Sequence, residues 1–141
     1  MMKLKVTRAE MWRATIDDQP GGAAAVLDPV AQAGANLEFA FARRAAEMPG
    51  KGLLFVLPVK GKKVVAAAQS AGRGVAPDMH MLRIEGGDKP GTTAAIARAL
   101  ANAGISFRAF SATAVGRSFK GFLALDSAED VARATAVLKK L

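Results

Sequence analysis

The sequence predicts an α+β fold built twice, and three observations carry that prediction. The chain repeats itself at a spacing of 70 residues. Within each copy the apolar period switches from two to helical and back, and Pro-Gly or Ala-Gly punctuation falls at the switches. Asp18-Gln19-Pro20-Gly21-Gly22 recurs as Asp88-Lys89-Pro90-Gly91-Thr92, and the same shift lays Ala24, Ala25, Ala31, Ala33 and Gly34 on Ala94, Ala95, Ala101, Ala103 and Gly104. Upstream, Glu10-Met11-Trp12-Arg13 falls on His80-Met81-Leu82-Arg83. Downstream, Lys51-Gly52-Leu53-Leu54 falls on Lys120-Gly121-Phe122-Leu123 at a shift of 69. Self-similarity on this scale marks a duplicated structural unit.

The elements of the unit follow in order. Trp12, Ala14 and Ile16 alternate with Met11, Arg13 and Thr15, as Leu82 and Ile84 alternate with Met81, Arg83 and Glu85, which is the period of a strand buried on one face. After Pro-Gly, Val26, Val30 and Ala33 keep helical spacing, matched by Ile96, Leu100 and Ala103, and the helix ends at Gly34 or Gly104, where a left-handed residue is wanted. Leu37, Phe39 and Phe41 then alternate, Met48 to Gly52 turns, and Leu53 to Val59 reads as a second buried strand. Lys62 to Ala71, and Ser127 to Lys140 with Val131, Ala134 and Leu138 on one stripe, close each unit with a helix. The order β-α-β-β-α, completed by a last strand, is the βαββαβ ferredoxin-like plait, an antiparallel sheet with its helices on one face. Two such units, 1–72 and 73–141, are each near the size at which an isolated core is marginal, so a pseudo-twofold pair is expected.

Two features depart from a plain repeat. Pro29 falls inside the first helix, where it removes a backbone donor and predicts a bend or a shortening that Ala99 does not. The second unit ends at Lys140-Leu141 without its last strand, whereas Lys3-Leu4-Lys5-Val6 is an extra alternating segment ahead of the first strand. Arg73 to Asp78 is the first unit's own candidate for a last strand. The surplus segment is therefore expected to supply the edge strand that the second unit lacks.

Composition narrows the function classes. No uninterrupted apolar run exceeds Leu53–Leu57, far too short to span a bilayer, and Met1 to Lys5 is not followed by the apolar stretch of a secretion signal, so a soluble cytoplasmic chain is expected. With no cysteine there is neither a disulfide nor a thiolate metal site. The net charge of +8 divides evenly, ten Lys/Arg against six Asp/Glu in residues 1–70 and again in 71–141, with no basic tail. Lys60, Lys62 and Lys63, the one tight cluster, read as the solvated start of a helix. The single histidine, His80, lies in a strand with no nucleophile or metal-ligand set around it in sequence, so no catalytic residue, metal or cofactor is expected.

The repeated Asp-x-Pro-Gly carries the chemistry. Pro in a first helical turn gives up a donor the helix does not use, Asp before it can cap exposed amides, and Gly lets another molecule approach the main chain. Such a helix start accepts an anion such as a carboxylate; a single copy read on its own is first of all a sound strand-to-helix turn.

A strand ending in Asp-x-Pro-Gly, a helix ending in Ala-Gly-(Ile/Ala)-(Asn/Ser), and then a hairpin and a second helix resemble the ACT domain, twice, over nearly the whole chain. The resemblance implies a non-enzymatic regulatory protein in which a free amino acid binds where the loop after strand one meets the helix-one end of a neighbour. The ligand-facing positions it implies are Asp18, Gln19, Pro20, Gly21 and Gly22 with Asn36, and Asp88, Lys89, Pro90, Gly91 and Thr92 with Ser106. Asn36 matches the family's frequent Gly-x-Asn and Ser106 departs from it, so the first site is the stronger candidate. The partners implied are the effector, a second copy in a homo-oligomer, and a regulated enzyme or transcription factor. Two alternatives stay open: an assembly module whose sheet edges recruit protein without a ligand, and an RNA-binding plait. For the latter, Lys120-Gly121-Phe122 imitates an RNA-recognition strand, but Ala124 stands where a second stacking aromatic is needed, and Met81, Arg83 and Glu85 line strand one.

Overall fold

The computed structural model describes residues 2–141. In chain order its elements are β1 (Lys5–Ala9), β2 (Trp12–Asp17), α1 (Gly22–Gln32), β3 (Phe39–Arg44), β4 (Lys51–Leu57), α2 (Lys62–Ser70), β5 (Gly74–Val75), β6 (His80–Gly87), α3 (Thr92–Asn102), β7 (Ala109–Val115), β8 (Ser118–Leu125) and α4 (Ala128–Leu138). The strands form two antiparallel four-stranded sheets, ordered β3-β4-β2-β5 and β7-β8-β6-β1. Written this way the orders correspond strand for strand, with β1 standing in the second sheet where β5 stands in the first. Both are ferredoxin-like plaits.

The chain accordingly divides into a first unit, Glu10–Ala76, and a second that joins β1 to Pro77–Leu141. The N-terminal segment does complete the second sheet, although the pairing strand is Lys5–Ala9 rather than Lys3 to Val6, with Lys5 opposite Glu85 and Ala9 opposite Met81. The strand expected in 73–78 forms over two residues only, with Val75 opposite Trp12 and Gly74 opposite Arg13. Both β1 and β5 thus lie across the expected division at residue 72.

Each core has the composition its periodicity requires. In the first unit Trp12, Leu54 and Val56 from the sheet pack with Val30, Val59, Val64 and Ala68. In the second, Val6, Leu82, Ile84, Leu123 and Leu125 pack with Ile96, Leu100, Val131, Ala134 and Leu138. Val6 on β1 belongs to that cluster, so the exchanged strand contributes apolar burial as well as backbone pairing.

Helix ends follow local chemistry. Gly34 (φ 99°) and Gly104 (φ 70°) take the left-handed conformation after α1 and α3. The amides of Ala35 and Ile105 then reach back to the carbonyls of Val30 and Leu100, closing the turn. At α4, Ser127 Oγ accepts the Asp130 amide at 3.0 Å, and Glu129 and Asp130 occupy the first turn, as expected of acids near a helix start.

Two expectations are corrected. Of the bend or shortening expected at Pro29, the shortening does not occur: α1 runs through it and spans 11 residues, the same as α3. A proline beyond the first turn costs its own hydrogen bond and crowds the carbonyl four residues back, yet burial of Val30 in the core holds the helix together across it. The Lys-Gly match at a shift of 69 is also not the structural correspondence. Trp12 faces Val56 and its repeat Leu82 faces Leu123, a shift of 67 along the partner strand. The cause is the hairpin: residues 45–50 connect β3 to β4, whereas Gly116 and Arg117 alone connect β7 to β8. An offset of two keeps every side chain on its face, so the pattern remained readable despite it.

Candidate functional site

The two Asp-x-Pro-Gly loops have the same backbone. Gly21 and Gly91 are the N-cap residues of α1 and α3, both left-handed (φ 87° and 86°), and neither helix start has a side-chain cap. The expected capping role of aspartate is therefore corrected: Asp18 Oδ2 instead accepts from Arg44 Nε at 2.5 Å, across to β3. The role expected of the glycine changes as well. Gly21 faces open space and is required by its positive φ, while Gly22 is the close approach, since a Cβ there would stand 2.0 Å from the carbonyl oxygen of Asp17. The corresponding Thr92 carries a buried side chain, whose Oγ1 donates to the Lys89 carbonyl at 2.9 Å.

Around the first loop lies an open cleft of about 620 Å³, lined by Ile16, Asp17, Asp18, Gln19, Pro20, Ala23, Ala42, Arg43, Arg44 and Gly52. Acids stand on the β2 end and bases on the β3 end. Gly52 keeps the floor between them low, for a Cβ there would come within 2.8 Å of the Arg43 carbonyl oxygen. Asp17 Oδ1 accepts from Lys51 Nζ at 2.6 Å, and Arg43 Nη2 reaches Glu47 Oε1 at 3.5 Å. Hydrogen bonding to Asp18, with its charge second, raises the pKa of Arg44. The Glu47 carboxyl is held below the ordinary glutamate value, first by a backbone hydrogen bond from its own turn and, among charges, by Arg43. All these pairs are solvent-exposed, so each exchanges readily for another partner.

Of the sequence-derived positions, Asp18, Gln19 and Pro20 line the cleft, and Gly21 and Gly22 shape its edge. Asn36 is exposed beyond the opposite end of α1, about 16 Å along an 11-residue helix, so it does not join Asp18 within one unit. Ser106 stands in the same relation to Asp88, Lys89, Pro90 and Gly91 beyond α3. Arg43 and Arg44 are the contributors the repeat did not reveal. Their partners across the hairpin are Leu53 and Gly52, and the equivalent positions of β7 are Thr113 and Ala114. The signal available in sequence was a difference between the copies, an Arg-Arg pair present once.

No protein-family profile and no curated protein sequence matches the chain. Solved structures do. A protein from Bacteroides thetaiotaomicron superposes with a TM-score of 0.79 at 15% identity, covering 96% of this chain and 89% of its own. The ligand-free regulatory subunit of aspartate kinase from Thermus thermophilus gives 0.62 at 19%, covering 96% and 95%. The corresponding subunit from Thermus flavus gives 0.56 at 20%, covering 97% and 96%. At such identities the likeness is one of fold, and it extends over both units. The chain has the fold of a tandem ACT-domain protein.

Proposed function

We propose that the protein is a non-enzymatic regulatory module that binds a free amino acid in the cleft of its first unit. Its occupancy is passed on, in a cytoplasmic homo-oligomer, to a regulated enzyme or transcription factor. The observation that carries this reading is the facing of Asp17 and Asp18 by Arg43 and Arg44 across a cleft on the Asp-Gln-Pro-Gly-Gly loop. A zwitterion suits that arrangement: its carboxylate takes Arg44 from Asp18, and the released Asp18 takes its ammonium, so no charge is left unpaired. Asn36 then belongs to the site of a neighbouring copy, where its amide can both donate and accept. The second loop has Thr113 and Ala114 where the first has arginines, and is the weaker site. Regulatory subunits of aspartate kinase share the fold, which supports a controlling rather than a catalytic role.

A thermal-shift screen against the twenty amino acids tests the proposal, because a ligand at 100 times its Kd adds about 2.7 kcal/mol of stability. Calorimetry on Arg44→Ala should then show affinity falling by about 1.5–3 kcal/mol, as for a charge-assisted hydrogen bond. Asn36→Ala should cost about 0.5–1.5 kcal/mol. Unchanged affinity in Arg44→Ala would remove the ligand from this cleft. A screen that returns no ligand would favour the assembly module, whose candidate edges are β3 and β7, the latter with Val115 72% exposed.

A further inference from the structure

Arg73 is the only charged side chain that the fold buries among the described residues, at 4% exposure. It follows Gly72, a left-handed residue that ends α2, and leads into β5 at the edge of the first sheet. Nε, Nη1 and Nη2 of its guanidinium are all buried without a hydrogen-bond partner, and so is Nε1 of Trp12.

The nearest acceptors in sequence are already engaged. At the end of α2, Ala67, Gln69 and Ala68 carbonyls accept the amides of Ala71, Gly72 and Arg73. In the same unit Asp17, Asp18 and Glu47 pair with Lys51, Arg44 and Arg43. Burial pulls the Arg73 pKa down with no carboxylate opposing it, yet a guanidinium keeps its proton, so the charge persists and requires a counter-ion.

Both orphaned groups stand at one edge of the first sheet: Val75 of β5 lies directly opposite Trp12 and Gly74 opposite Arg13, and Arg73 immediately precedes that pairing. Both are donors with no acceptor. We propose that Arg73 and Trp12 Nε1 form a concealed anion site that takes one carboxylate group of a small molecule, bound bidentately by the guanidinium fork and bridged to the indole N–H. Entry is by displacement of β5, which has two residues, a free outer edge and glycines at 72 and 74. A short edge strand of this kind belongs to the part of a fold that opens first. The site shares no residue with the Asp18 cleft and does not depend on that cleft binding anything.

Acetate is the probe, with chloride at matched ionic strength as its control. Thermal unfolding of the full chain should show the wild type gaining midpoint temperature with acetate beyond its response to chloride. Arg73→Met, which keeps the volume and removes the charge, should unfold at a higher temperature than wild type in chloride and respond to the two salts equally. Should that variant not fold, the Arg73 side-chain Nε–H resonance of the wild type gives the same answer by NMR, shifting saturably with acetate and not with chloride. Equal responses of the wild type to both salts, an acetate response that survives in Arg73→Met, or an Nε–H resonance indifferent to acetate would each overturn the site.

Discussion

Substituting Gly22 by alanine sets two opposed effects against each other. Helix propensity alone favours Ala over Gly by up to about 1 kcal/mol in a helix interior and by less at the first position, which Gly22 occupies. Packing opposes it: the added Cβ stands 2.0 Å from the Asp17 carbonyl oxygen and 3.0 Å from its carbon, both main-chain atoms that cannot rotate aside. Overpacking typically costs about 1–3 kcal/mol. The same carbonyl also accepts the Gln19 amide at 3.0 Å, a bond worth about 0.5–1.5 kcal/mol that the shift endangers. The net expectation is destabilisation by about 1–3 kcal/mol, so the clash prevails over propensity. Urea unfolding followed by tryptophan fluorescence reads this cleanly, because Trp12 is the only tryptophan and lies in the core of the first unit. Thr92→Ala is the control. It removes the bond to Lys89 and one buried methyl group in the second unit and should leave the Trp12 transition in place. An unchanged or higher urea midpoint for Gly22→Ala would refute the close approach and, with it, the description of the cleft's edge.

Two further predictions concern the elements that depart from the plain repeat. Pro29→Ala restores a backbone donor within α1 and should raise stability by about 1–3 kcal/mol in the same urea assay, whereas no gain would show that the helix bears no cost there. Val6→Ala removes two methyl groups' worth of burial from the second core and should cost about 2 kcal/mol, with amide exchange accelerating in β6 and not in β2; loosening confined to β2 would contradict the strand exchange.

Much of the fold was legible because each unit states it redundantly: an alternating strand, a helix closed by Ala-Gly, and a second alternating pair appear twice. The exchange of β1 was legible for the same reason, as one copy had a strand too many and the other too few. Less legible was β5, whose pairing stops after Val75 although the apolar pattern runs on, and the hairpin, where six residues in one copy do the work of two in the other. At the site, repetition drew attention to Asp18 and Pro20 and away from Arg43 and Arg44, since a comparison of copies highlights what they share. The charges that distinguish the first cleft lie where the copies differ. The aspartate's true partner was hidden too, because the Asp18–Arg44 pair joins positions 26 residues apart through the β2-β4-β3 register.

The exchanged strand also bears on the order of events during synthesis. β1 leaves the ribosome ahead of the first unit but pairs with β6, across sequence separations that reach from Lys5 to Glu85. Contacts so distant ordinarily slow folding, since the intervening chain must first be brought to closure. Here that chain closes itself. Once Glu10–Ala76 has folded, the Ala76 amide donates to the Met11 carbonyl at 2.9 Å, fixing the two ends of the unit side by side. The long loop between β1 and β6 then behaves as a short one, and the first unit acts as a folded clasp that hands the waiting strand to the second.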